Sequence, residues 1–581
     1  MLQPTPSSNA SLPWRAGGFA TVVEALDYAA RGETGLNFYS ARGELVERLP
    51  FADLKRDAEA LARKLLRFGL VRGDRVGLVA ETHGDFMRVF FGCQYAGLVP
   101  APLPLPQTFG GRQAYVEQIR RQLQECGARA VFAPQELLEF VTEAVTEVPA
   151  IRLTASVAML ADAPSEGVTL PAVGASDLCY LQFSSGSTRF PLSVAVTQAA
   201  ALSNTTSISR YGLQIVQGDR CTSWLPLYHD MGLIGFMLTP VICQMSCDYI
   251  ATRDFARRPL LWLQLITRNK GTLAFSPSFG YDLCSRRART ASIEGVDLGS
   301  WRCAGIGADM IRPAVLAEFL ERFGPCGFKP GTFVPSYGLA ETTLAVSFAP
   351  LGRGFEVDVV DLDGVAENVA RPSPAGGRRV REFVLCGVPM PDHFVEIRDP
   401  QGRLCRERQI GRVYISGPSV MREYFGKPEE TAAVLAPDGW LDTGDLGYWL
   451  GEQIVITGRA KDLIIVNGRN IWPQDLEWSV EHAVEKLRSG DVAAISVDEG
   501  ARERVVLLVE CRIRDQEGRA DLVREITGTV QSAHGVECDV VLVPPHGLPQ
   551  TSSGKLSRAR AKQNYLRGDY DEPPMAAAAS K

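Results

Sequence analysis

Five short runs gather the residues best suited to chemistry. In LQFSSGST, residues 181–188, an apolar stretch passes directly into Ser184, Ser185, Gly186, Ser187 and Thr188. Small side chains leave backbone N–H groups accessible, and these groups together with the hydroxyls can cradle phosphate oxygens. The run lacks the lysine of a Walker loop, and a cluster of this composition also serves as an ordinary loop. In WLPLYHDMGLIG, residues 224–235, His229 and Asp230 interrupt an apolar segment. The pair can orient a carboxylate while Met231, Gly232, Leu233 and Ile234 line a channel for an apolar tail; the alternative is a packed histidine satisfied by local hydrogen bonds.

PSYGLAETT, residues 335–343, follows a strand signal at Thr332–Val334, so Glu341 is expected just past a strand end. One carboxylate with hydroxyl neighbours and substrate phosphates suits magnesium. The same acid can instead serve a helix N-terminus. GWLDTGDLG, residues 439–447, adds two further acids, and LPQTSSGKLSR, residues 548–558, centres Lys555 in a Ser/Gly loop of a chain with 10 lysines against 51 arginines. An ammonium delivered to charge developing at phosphorus is a catalytic device, and a solvated turn lysine is the plainer reading.

The elements that must position these runs are legible in part. Leu54, Ala58, Leu61 and Leu65 recur at helical spacing and predict an amphipathic helix over 52–70. Val76–Ala80 reads as a buried strand followed by a helix over Gly84–Tyr95. A second strand begins at Ala130–Ala133, and Leu178–Phe183 leads into the Ser/Gly loop. Strands alternating with helices imply parallel sheets covered on both faces. GRAKDLI, residues 458–464, divides this large region from about 120 residues that read as a small α+β domain including the apolar run Val505–Val509. A surface turn within one continuous domain is the other reading of that run. The tail from Gly568, polar and then alanine-rich, is expected to be unstructured.

Composition narrows the function. The chain has 581 residues, 45% hydrophobic and 22% charged, with 61 basic against 67 acidic side chains and a formal charge of −6. That balance argues against a surface built to neutralise nucleic acid. The apolar stretch Met231–Cys243 is too short for a membrane span and contains Pro240, so a buried wall is expected. No secretory signal is legible, and thirteen cysteines without a CxxC pair suggest reduced thiols, no structural zinc and a cytoplasmic setting.

Taken in order, FSSGST, YGLAETT, LDTGD, GRAKDLI and TSSGKL resemble the adenylate-forming superfamily of acyl-CoA synthetases, peptide-synthetase adenylation domains and luciferases, over about residues 20–565. With WLPLYHDMGLIG and residues 257–284, the chain looks most like the fatty acyl-AMP ligases. The resemblance implies a mixed α/β and α+β multidomain fold: a large N-terminal region, 1–461, and a small mobile α+β domain, 462–581, turning about Asp462. It also implies ATP and Mg2+ as cofactors, a fatty acid as substrate and an acyl carrier protein as partner.

By the same matching, Lys555 and His229 are catalytic and Glu341 holds the metal. Ser184, Ser185, Gly186, Ser187, Thr188, Gly307, Ala308, Ser336, Tyr337, Gly338, Leu339, Asp445 and Arg459 bind ATP or AMP, and Met231, Gly232, Ile234, Gly235, Ser278 and Phe279 face the acyl chain. The implied reaction is ATP-dependent formation of a fatty acyl-adenylate, then transfer to a phosphopantetheine thiol. A segment at about 349–382 matches an insertion thought to obstruct CoA, although a tolerated surface loop fits the residues equally. In one departure, Arg189 and Leu192 stand where the superfamily has glycine and a basic residue. An acyl-CoA synthetase and a non-catalytic fatty-acid or adenylate binder are the rival readings.

Overall fold

The computed structural model describes residues 2–9, 12–106, 111–184, 192–373, 380–466, 469–499, 502–550 and 556–570. Its helix Phe51–Arg67 buries Phe51, Leu54, Ala58, Leu61 and Leu65 against the core and leaves the charged face outside. It stops short of residue 70 because Gly69 takes φ +80°, a left-handed position that terminates helices. Arg75–Val79 is a nearly fully buried strand, followed by the helix Gly84–Ala96.

Six parallel strands form the middle of a nine-stranded sheet, in the spatial order Phe333–Gly338, Cys303–Ile306, Leu273–Ser276, Arg220–Ser223, Ser246–Ile250 and Gly35–Tyr39. Antiparallel strands finish it: Leu45–Pro50 at one edge, Ala345–Phe348 and Val388–Pro389 at the other. A second, parallel sheet joins Val99–Leu103, Arg75–Val79, Ala128–Phe132 and Leu153–Ala155. Leu178–Phe183 pairs instead antiparallel with Ser193–Thr197. A four-stranded antiparallel sheet, Phe394–Arg398, Gly411–Ser416, Leu441–Leu450 and Gln453–Arg459, completes the large region.

Beyond the turn Ala460–Asp462 the chain enters a small α+β domain built on Val492–Glu499, Arg502–Glu510 and Cys538–Val543. The run Val505–Val509 is apolar throughout because both faces of its strand are covered. Val505 and Leu507 pack with Leu476 and Ile526, whereas Val506 and Leu508 pack with Ala561 of the helix Arg558–Leu566. Of the tail from Gly568 expected to be unstructured, residues 568–570 form a turn in which the Tyr570 hydroxyl donates to the Gly547 carbonyl at 3.3 Å, and residues 571–581 lie outside the described residues.

The segment at about 349–382 contains ordered structure. Val357–Asp361 pairs antiparallel with Val380–Val384, the short helix Leu362–Ala366 follows the first strand, and Val360, Val365 and Phe383 are buried with Tyr448, Val455 and Trp472. Met231–Leu238 forms a π-helical stretch continued by the α-helical turn Thr239–Ile242, nearly all of it buried. Among the described residues no helix is long and apolar enough to cross a membrane.

Candidate active site

Strand register brings together residues expected at the nucleotide. Asp445 and Arg459 are partners across the antiparallel pair Leu441–Leu450 and Gln453–Arg459, and the guanidinium Nε lies 3.5 Å from the carboxylate. Tyr337, near the end of its strand, donates its hydroxyl to Asp445 Oδ2 at 2.7 Å. Burial, and then the negative charge of Asp445, push the phenol well above its ordinary pKa, so it remains a donor. The predicted strand ends at Val334, yet the observed one runs to Gly338 and carries Ser336, Tyr337 and Gly338 on its last turns of pleat. A Cβ at Gly338 would collide with the Leu344 carbonyl, and one at Gly307 would meet Ser336 O at 2.8 Å. Ala308 takes φ +66°, and Ala308, Ser336, Tyr337 and Gly338 all line the cavity beside Asp445 and Arg459.

A second group gathers where this site meets an apolar cavity. His229 Nδ1 lies 2.6 Å from Asp230 Oδ1, which also accepts the Met231 N–H at 2.7 Å; the imidazole is thereby held in a fixed orientation at the cavity wall. Glu341 sits in the turn Ala340–Thr342, past the strand end as expected. Its carbonyl accepts the Met421 N–H at 2.7 Å and its Oε1 accepts the Tyr424 hydroxyl at 2.9 Å. Burial raises the Glu341 carboxyl above its ordinary range, Asp230 adds to the rise, and Tyr424 and Arg459 oppose it. A desolvated carboxylate with one oxygen braced fits a magnesium ion whose remaining ligands come from phosphates and water. No cluster of three His, Cys, Asp or Glu able to hold a metal occurs among the described residues.

The apolar cavity has a volume of about 530 Å³. Ile208, Leu213, Met245, Leu273, Phe275 and Phe348 line its apolar part, and His229, Tyr337, Glu341 and Arg459 its polar end. Met231, Gly235 and Leu339 also face it. Four residues expected at the acyl chain do not line this cavity. Gly232 packs so closely on the Pro226 carbonyl that no side chain fits, and Ile234 is wholly buried in the core; neither lines the cavity, because a π-helical stretch turns only part of its surface inward. Ser278 and Phe279 lie elsewhere too. Phe279 packs edge-on to Trp224, and Ser278, the first residue of the helix Ser278–Ala288, accepts the Arg312 N–H and donates to the Met310 carbonyl through its Oγ. Sequence reasoning missed Tyr424 and the walls at Ile208, Leu213 and Phe348, which stand in no motif and meet only through the fold.

A cleft of about 2690 Å³ separates the large region from the small domain. Asp462 lies in it and is held by Arg558 at 3.2 Å; the same guanidinium makes a two-pronged pair with Glu477 at 2.6 and 2.7 Å. Across the cleft, Arg312 bonds Ser489 at 2.6 Å and lies 3.4 Å from Glu481, whose pKa burial pushes up to about 7. Arg381, on the hairpin at 357–384, meets Asp475 of the small domain at 2.9 Å over the Phe383 and Trp472 rings. The contact is close but poorly aligned for hydrogen bonding, so burial outweighs attraction: the Arg381 pKa is lowered and that of Asp475 is pushed up to about 6.

Ser184 is buried, and its N–H donates to the Leu192 carbonyl at 2.8 Å; Leu192 itself lines the apolar cavity. Ser185, Gly186, Ser187, Thr188, Arg189 and Lys555 lie outside the described residues.

The chain and fold that carry this geometry are similar to those of known proteins. The AMP-binding enzyme family matches residues 32–425, and a Disco-interacting protein 2-like AMP domain matches residues 461–573. A Caulobacter vibrioides protein provisionally named acyl-CoA synthetase is 51% identical over 98% of this chain and 99% of its own length. The medium-chain-fatty-acid–[acyl-carrier-protein] ligase JamA of Moorena producens is 32% identical over 95% of this chain and 96% of its own. A solved structure from work on fatty acyl-adenylate ligases of E. coli and L. pneumophila superposes with a TM-score of 0.92 at 44% identity, covering 96% of this chain and 100% of that one. The chain belongs to the AMP-binding enzyme family, and within it to the adenylate-forming ligases.

Proposed function

We propose that the protein activates a fatty acid as its acyl-adenylate and passes the acyl group to the phosphopantetheine thiol of an acyl carrier protein. The observation that carries this reading is the single cavity whose apolar part ends at His229, Glu341, Tyr337 and Arg459. A hydrocarbon chain filling the apolar part leaves its carboxylate at the polar end, next to the residues assigned to the nucleotide.

In the first step a carboxylate oxygen attacks the α-phosphorus of ATP in line; the P–O bond to pyrophosphate breaks and both electrons leave with that product. Asp445 and Arg459 hold the ribose hydroxyls, and Tyr337, its hydroxyl committed to Asp445, sets the edge of the adenine site. His229, fixed by Asp230, orients the carboxylate. Lys555 is assigned to charge building on the α-phosphate and the attacking oxygen. Such catalysis consists of positioning and electrostatic stabilisation. Magnesium held by Glu341, when bound, supplies charge neutralisation on the phosphate oxygens. In the second step a thiol sulfur attacks the acyl carbonyl carbon, the C–O bond to AMP breaks, and the thiol proton goes to solvent.

A carrier-protein thiol is favoured over CoA by the paired strands Val357–Asp361 and Val380–Val384, which meet the small domain through Arg381 and Asp475; rotation about Asp462 would break that pair. A CoA acceptor is the second reading, favoured by the name of the 51%-identical relative. Single-turnover transfer from preformed acyl-adenylate distinguishes them. Acyl carrier protein discharging the adenylate while CoA does not is expected; acyl-CoA formed at a comparable rate contradicts the carrier assignment.

A further inference from the structure

Two residues beyond Glu341 the backbone is strained. Thr343 has φ +72° and ψ −58°, and the Leu344 N–H donates to the Thr342 carbonyl at 2.9 Å. This is a γ-turn of the uncommon positive-φ hand, centred on a β-branched residue that disfavours it. Such a turn persists only where the surroundings over-determine it.

One buried side chain spans the turn. Asn204, on the helix Gln198–Ser207, donates from Nδ2 to the Ala345 carbonyl at 2.8 Å and the Thr342 carbonyl at 3.2 Å, and accepts the Ala345 N–H at 3.1 Å. Ser419 stands behind it. The Ser419 carbonyl accepts the Thr343 hydroxyl at 2.8 Å, and its Oγ lies 3.0 Å from Asn204 Nδ2, 3.1 Å from the Thr342 carbonyl and 2.6 Å from His393 Nε2.

The protons can be assigned by satisfiability. His393 Nδ1 lies 3.0 Å from the Pro391 carbonyl, which only accepts, so Nδ1 carries the hydrogen and Nε2 receives the Ser419 hydroxyl. The two lone pairs of the Thr342 carbonyl are then filled by Leu344 N–H and Asn204. Burial keeps the His393 pKa below the usual histidine range, consistent with this neutral tautomer. Asn204, Ser419 and His393 line neither cavity, so they are not placed to touch substrate.

We propose that Asn204 is a positioning residue for Glu341: it clamps the strained turn at Thr343 and so keeps the carboxylate at the polar end of the cavity, with Ser419 and His393 bracing the clamp. This rests on the reading of Glu341 as the magnesium holder. The test is manganese binding to the full chain in the presence of a non-hydrolysable ATP analogue, read by electron paramagnetic resonance.

Asn204→Ala is expected to weaken manganese binding by about tenfold or more, the usual effect of removing a group that orients a metal ligand, while analogue affinity in EDTA stays unchanged. Adding Thr343→Gly is expected to restore part of the loss, since glycine adopts positive φ without strain. A folded Asn204→Ala protein with wild-type manganese affinity overturns the proposal. Should that variant fail to fold, Ser419→Ala removes a single hydroxyl from the clamp; weaker manganese binding is expected, and unchanged binding overturns the role. Glu341→Gln separates the two layers. Wild-type affinity in that variant overturns the assignment of Glu341 and this proposal with it, whereas loss there without loss in Asn204→Ala overturns the positioning role alone.

Discussion

At the scale of single residues, the hydrogen bond from Tyr337 to Asp445 offers a narrow test. Removing a donor from a buried, charged acceptor costs about 1.5–3 kcal/mol, so Tyr337→Phe is expected to raise the KM for ATP by roughly tenfold or more while leaving kcat much less affected. An unchanged KM would show that Asp445 does not depend on this donor. Lys555→Ala is expected to behave in the opposite way, lowering the adenylation rate by about 10²–10³, as removal of a transition-state donor does, with nucleotide affinity nearly intact; equilibrium binding beside single-turnover rates checks it. Asp445, Arg459 and Glu341 stand out in the chain because their motifs are compact. Tyr424, which braces Glu341 at 2.9 Å, was not, for it belongs to no motif and reaches the site from 83 residues away in the chain.

At the scale of elements, the π-helical stretch Met231–Leu238 sets the cavity wall. A Cβ at Gly235 would meet only Leu344 Cδ2, at 3.5 Å, so a larger side chain there projects into the cavity without disturbing the backbone. Gly235→Leu is expected to shift the preferred fatty acid to shorter chains by filling part of the 530 Å³; a chain-length series in which the optimum stays put would remove Gly235 from the acyl wall. Periodicity could not separate Gly235 from Gly232 and Ile234, because π-helical winding departs from the 3.6-residue repeat on which such reading depends. The strand over Leu178–Phe183 was legible from its apolar run, but its antiparallel partner was not, since a run alone carries no pairing direction. The hairpin at 357–384 makes a further test. Arg381→Ala removes the contact with Asp475 and is expected to loosen the small domain and increase acyl-CoA formation. Unchanged CoA turnover in a folded variant would detach the hairpin from acceptor choice.

At the scale of the whole molecule, two buried carboxyls give docking of the small domain a pH dependence of definite sign. Glu481 rises from 4.5 to about 7 and Asp475 from 3.8 to about 6, so the folded chain holds protons there that the unfolded chain releases. Their stabilisation is fully present below the unfolded values and is lost as pH climbs through about 6 to 7, with a slope of up to about 1.4 kcal/mol per pH unit for each group. The Tm of wild type is therefore expected to fall relative to that of Glu481→Gln between pH 5.5 and 8; parallel curves would contradict it. The presence of a large region and a small α+β domain, and the alternation of strands and helices, were legible from the chain. The contacts across the cleft were not, because Arg312, Arg381 and Glu481 lie in separate segments whose meeting depends on how two folded units pack.

The most direct test of the adenylating role is fatty-acid-dependent exchange of labelled pyrophosphate into ATP, run across a series of chain lengths with the product analysed by mass spectrometry. Exchange that requires a fatty acid, peaks at one range of lengths and yields an acyl-AMP mass is expected. Protein that binds ATP and fatty acid yet shows no exchange with any member of the series would contradict it.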